Sequence, residues 1–151
     1  MTKINSSGLI LLIARLAVAA TFLMAALPKL QAPLEFAESV SAFQLIGPVA
    51  SLWVAITLPW LELISGIGLV IPQIRRSSAF IISLLLLLFI GLHVSAWNRG
   101  LDISCGCFGA HEDLTADYTW PILRNVILLC ATIAIAIRDF RHHSRLKTPK
   151  A

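Results

Sequence analysis

SSAFIISLLLLLFIGLHVSAW, residues 77–97, runs for 21 residues without an acid, a lysine or an arginine. At a rise of 1.5 Å per residue, an α-helix of that length crosses a hydrocarbon core of about 30 Å. Three other stretches, residues 8–27, 48–71 and 119–137, have the same length and character. Buried helices of a soluble core do not recur four times at that length. Composition agrees: of 151 residues, 58% are hydrophobic and 13% charged, where a soluble domain carries roughly a quarter charged residues. Mean hydropathy is +0.84. The predicted fold is all-α, a four-helix transmembrane bundle spanning residues 1–137, followed by a basic tail at 138–151. A signal peptide at the start would need a small-x-small cleavage site. Ala25-Ala26-Leu27 instead runs into Pro28-Lys29, so the first segment is expected to be retained.

Positive charge in short loops sets orientation. Lys3, Arg75, Arg76, Arg138, Arg141, Arg145, Lys147 and Lys150 fall on one side, against Lys29 and Arg99 on the other. Both termini are therefore expected in the cytoplasm, and the loops at 28–47 and 98–118 outside. Glu35, Glu38, Asp102, Glu112, Asp113 and Asp117 all lie in those outer loops. The pI of about 9.3 thus needs no nucleic-acid partner; the basic tail reads as a topology signal that also meets anionic lipid. In the first outer loop, Leu34, Ala37, Val40 and Phe43 recur at three-residue spacing. That pattern predicts a short amphipathic helix over 33–46, between the first two spans.

The second outer loop contains Cys105-Gly106-Cys107-Phe108-Gly109, bracketed by Trp97 and Trp120. A cysteine pair outside the membrane lies where disulfides persist. With one residue between them, the two sulfurs close a small ring, and strained, exposed disulfides are the more oxidising ones. A permanent staple of that size would close almost no chain and stabilise little. Three uses remain open: redox exchange, a structural bridge, and a soft-metal site formed by Cys105, Cys107 and His111, with His93 within reach. His93, Arg99 and Arg124 are candidates for tuning a thiolate. Cys130, alone in the fourth span, reads first as a small core residue. An ion inside a membrane seeks a partner. Arg15 and Glu62 have closely matching depths on antiparallel spans, so they are predicted to pair, as a structural lock or at a quinone or proton site.

Cys105-Gly106-Cys107-Phe108-Gly109 after a third span, with Trp120 and Arg124-Asn125 opening a fourth, resembles the MauE family of methylamine-utilisation proteins. Arg15, Pro28-Lys29, the amphipathic segment and Leu58-Pro59-Trp60-Leu61-Glu62 are similar to the wider DoxX-like group. The resemblance implies a bacterial inner-membrane protein associated with redox work. Cys105 and Cys107 would exchange disulfides with a periplasmic thioredoxin-like partner, supporting the maturation of exported proteins. It also offers a second reading, a membrane subunit of a quinone-reducing complex, while a metal-handling protein stays open from the cysteine and histidine residues themselves. Four-helix enzymes that shuttle electrons internally carry a second cysteine pair, which this chain lacks. The pair is expected to work with another protein.

Overall fold

The computed structural model describes residues 6–101 and 119–147. These form five helices: α1 Ser6–Gln31, α2 Pro33–Ala42, α3 Pro48–Val70, α4 Arg75–Asn98 and α5 Thr119–Lys147. Four segments are long and apolar enough to cross a membrane: Gly8–Gln31, Pro48–Val70, Arg75–Asn98 and Thr119–Asp139. The chain is a multi-pass membrane protein. Two helices outrun their apolar stretches. α1 continues through Pro28, with the Ala32 amide bonding the Pro28 carbonyl at 3.0 Å, so Lys29 is a helical residue and not part of a loop. α5 passes Ile137 without a break and carries Asp139 within the helix.

Specific contacts fix the packing. Glu62 of α3 meets Lys29 of α1, and Gly66, four residues on, faces Ala19 and Phe22; the two helices run antiparallel. Arg15 of α1 meets Asp139 of α5, and Arg76 of α4 meets the same residue. α1 and α4 each pack against both α3 and α5, so they lie across the bundle from each other. The end formed by the start of α3, the end of α4 and the start of α5 is called here the loop end; the opposite end is the tail end.

The core is narrow, centred on Val18, Phe22, Leu69, Ile82, Leu85 and Leu86. Large apolar residues such as Ile13, Trp53, Ile64, Phe80 and Leu84 face outward, which suits lipid and would be an aggregation liability in water. Between helices in lipid, close approach rests on small residues. A Cβ on Gly66 would sit 3.3 Å from the Phe22 Cβ, and one on Gly68 only 2.2 Å from the Ser78 Oγ. Buried Ser65 donates to the Leu61 carbonyl at 2.6 Å, satisfying its hydroxyl within the helix.

α2 folds onto the loop-end half of α3, burying Phe36 and Ala37 against Ala55 with Val40 and Leu58 at the margin. The amphipathic helix is present, and Ala37, Val40 and Phe43 of the three-residue stripe face the bundle together with Phe36. Leu34 is 69% exposed, because a 3.6-residue repeat carries it off the face that holds Phe36, Ala37 and Val40. α4 ends in a Schellman motif: Gly100 (φ 61°) bonds the Trp97 carbonyl and Leu101 bonds the Ala96 carbonyl. The positive φ is one that glycine adopts without penalty. It stops α4 immediately before the cysteine-bearing segment.

Candidate functional site

Lys29 and Glu62 form an ion pair inside the bundle. The Lys29 Nζ donates to Glu62 Oε1 at 2.7 Å and Oε2 at 2.9 Å, with side-chain exposures of 2% and 1%. Helix geometry brings them together. Side chains tilt toward the N-terminus of their helix; on antiparallel helices Lys29 leans toward the tail end and Glu62 toward the loop end, so they converge. Two aromatic rings flank the ammonium, Phe36 of α2 at 5.0 Å and Phe89 of α4 at 5.3 Å. Each such contact contributes on the order of 1 kcal/mol. The pair thus ties α1, α2, α3 and α4 to one point.

A cavity of about 30 Å³ adjoins the pair, lined among others by Thr21, Phe22, Phe89, Arg124, Asn125 and Leu128. A water needs roughly 10–15 Å³ on this measure, so the cavity admits one beside the charges. Asn125 is buried. The cavity is edged by one carboxylate, Glu62, and two basic side chains, Lys29 and Arg124, so a water there would meet several polar partners.

Arg15 does not reach Glu62. Gly66 is level with Ala19 and Phe22; Glu62 then lies about 6 Å toward the loop end and Arg15 about 8 Å toward the tail end. A separation of roughly 14 Å along the axis excludes contact. Arg15 instead donates to the Asp139 carboxylate, with Arg75 Nη1 3.8 Å from the same oxygen. The predicted pairing is corrected on both sides. Its error came from ending the first span before Pro28, which left Lys29 outside the membrane and α1 out of register with α3. Lys29 and Asp139 were the partners missed, and one signal pointed to them. Of eight acids only Glu62 and Asp139 fall outside the outer loops, and each required a nearby cation.

His93 is buried, its Nδ1–H donating to the Phe89 carbonyl at 2.6 Å and its ring edge-on to Phe43 at 6.1 Å. Arg99 donates to the Phe43 carbonyl at 2.8 Å. Both therefore hold the end of α2 to α4, a role the sequence did not show. Arg124 lines the cavity beside Lys29 and Glu62. Cys130 is exposed on α5, toward lipid and not in the core. Cys105, Cys107 and His111 lie outside the described residues. Among the described residues, no three His, Cys, Asp or Glu side chains are grouped to hold a metal ion.

Fold and site together define a multi-pass membrane protein with a charged centre buried near the loop end of four antiparallel spans. The signature of the methylamine utilisation protein MauE matches residues 7–138, and the chain belongs to the MauE family. It is similar to the methylamine utilization protein MauE of Paracoccus denitrificans, 34% identical over 124 residues, covering 81% of this chain and 66% of the relative. The protein of the same name from Methylophilus methylotrophus is 29% identical over 137 residues, covering 90% and 72%. That from Methylorubrum extorquens is 32% identical over 114 residues, covering 74% and 60%. The chain therefore spans about two thirds of the length of the curated relatives it matches. No solved structure matches it.

Proposed function

We propose that this protein is a bacterial inner-membrane component of methylamine utilisation whose Cys105–Cys107 pair exchanges disulfides with a periplasmic thioredoxin-like partner, in support of the maturation of exported proteins. The observation that carries the reading is the Cys105-Gly106-Cys107 sequence in the segment joining α4 to α5. That segment leaves α4 at Leu101 and enters α5 at Thr119. Both anchors are at the loop end, opposite the arginine-rich tail end, and the charge asymmetry favours a periplasmic loop end. The names of the relatives support the metabolic setting.

In the exchange, the thiolate of one cysteine attacks a sulfur of the partner's disulfide. A mixed disulfide forms and the partner's other sulfur leaves as a thiolate. The second cysteine, as its thiolate, attacks its neighbour in the mixed disulfide and releases the partner. Two electrons pass to the partner, whose thiolates take up the two protons given up by the pair; reversal of the same steps oxidises the partner. Arg124, about one and a half turns inside α5, contributes positive potential near the segment, which favours a thiolate. In whole cells, Cys105→Ser or Cys107→Ser is expected to accumulate a mixed disulfide that dithiothreitol releases. If neither does, while metal co-purifies and requires both thiols, the exchange reading is wrong.

A further inference from the structure

Asn125 of α5 is 4% exposed, and its carboxamide makes no hydrogen bond with any of the described residues. It lines the cavity of about 30 Å³ beside Lys29 and Glu62. A buried amide left unpaired is costly, and folded proteins pair such groups with protein or with ordered water. Lys29 presents a complementary group on the opposite wall. An ammonium has three N–H donors, and two of them go to the Glu62 oxygens at 2.7 and 2.9 Å. The third meets no acceptor oxygen among the described residues; only the rings of Phe36 and Phe89 stand near it, their centres 5.0 and 5.3 Å from Nζ. Thr21, also on the cavity wall, donates its hydroxyl proton to the Ala17 carbonyl at 2.9 Å. Its oxygen can still accept.

Size restricts what can sit among these groups. A water needs roughly 10–15 Å³ on this measure, whereas benzene occupies an engineered cavity of about 150 Å³. The space therefore takes water and not an aromatic headgroup. Apolar side chains close the rest of the wall, Phe22 from α1, Leu86 and Phe89 from α4 and Leu128 from α5. Apolar cavities of this kind stay dry, and it is the polar partners that retain a water.

We propose that this cavity is a hydration site, in which an ordered water joins Asn125 of α5 to the Lys29–Glu62 pair. The water accepts from the third Lys29 N–H and donates to the carboxamide oxygen of Asn125 and to the Thr21 hydroxyl. Three bonds are the usual number for a buried water. The room that remains admits a second water at the carboxamide NH₂. Through this site α5, which receives the cysteine-bearing segment at Thr119, is tied to the point where α1, α2, α3 and α4 already meet. The inference stands independently of disulfide exchange.

The test is X-ray hydroxyl-radical footprinting of the purified full chain in detergent, read by mass spectrometry. Radiolysis of a bound water oxidises the side chains beside it, so Phe22, although only 4% exposed, should be hydroxylated in the wild-type protein. Asn125→Leu removes the carboxamide at similar volume, and Ala25→Leu fills the cavity from α1; in each, hydroxylation of Phe22 should fall several-fold while circular dichroism shows the helices intact. Asn125→Ser keeps a polar group, adds room, and should retain the labelling. An unlabelled Phe22 in the wild-type protein would overturn the proposal. So would labelling that is undiminished in Asn125→Leu and Ala25→Leu.

Discussion

Removing the Glu62 carboxylate should be among the most damaging single changes available in this bundle. In Glu62→Gln the Lys29 ammonium stays buried, facing two rings and an amide. The rings offer on the order of 1 kcal/mol each, while desolvation of a buried ion costs several kcal/mol. The deficit matches the 3–5 kcal/mol typical of breaking a buried pair. Lys29→Met leaves the buried Glu62 carboxylate without its ammonium and should cost a similar amount. The double variant Lys29→Met/Glu62→Leu replaces the pair by apolar groups of similar volume and should recover most of the loss. Thermal unfolding of the full chain in detergent, followed by circular dichroism, measures all four proteins. With a shift of about 2–4 °C per kcal/mol for a chain of this size, Glu62→Gln should melt roughly 10 °C below wild type, and the double variant within a few degrees of it. Additive losses in the double variant, or a Glu62→Gln protein as stable as wild type, would refute the reasoning.

Three further outcomes follow from packing. Gly68→Leu should destabilise by about 1–3 kcal/mol or more, because even a Cβ there meets the Ser78 Oγ at 2.2 Å; Gly91→Leu, with nothing within 4 Å of an added Cβ, should leave the melting temperature unchanged or higher. Arg99→Ala removes the 2.8 Å bond to the Phe43 carbonyl; it should cost about 1 kcal/mol and speed amide exchange around residues 40–44. Cys130→Ser should change stability by less than about 0.5 kcal/mol. In the wild-type protein Cys130, exposed on its helix, should react with lipid-soluble maleimides and resist charged ones.

The spans were legible because length and apolarity alone decide whether a helix crosses lipid. Residues 77–97 and 48–71 came within two residues of the observed helices. Polar pairings were less legible, since they depend on the register between helices. Pro28 looks like a helix end in sequence; when α1 runs on to Gln31, Lys29 moves from a loop into the core and takes Glu62 from Arg15. Asp139 was hidden in a run of basic residues, although it is helical and meets Arg15. The side of α2 that faces the bundle was legible in Ala37, Val40 and Phe43, whereas Leu34 is exposed because a stripe of three-residue spacing drifts around a 3.6-residue helix. His93 and Arg99 were singled out by their chemistry. Their observed work, holding Phe43 at the end of α2, requires knowing which helix lies opposite.

Disulfide exchange by the Cys105–Cys107 pair is the central functional claim, and a thiol count tests it most directly. The full chain carrying Cys130→Ser is reduced, freed of reductant and mixed with an excess of oxidised thioredoxin-fold protein; free thiols on each protein are then counted by mass shift after alkylation. The account predicts that two thiols disappear from each chain and two appear on the partner, with Cys105 and Cys107 joined. Unchanged thiol counts on both proteins, with the pair accessible to alkylation, would contradict it.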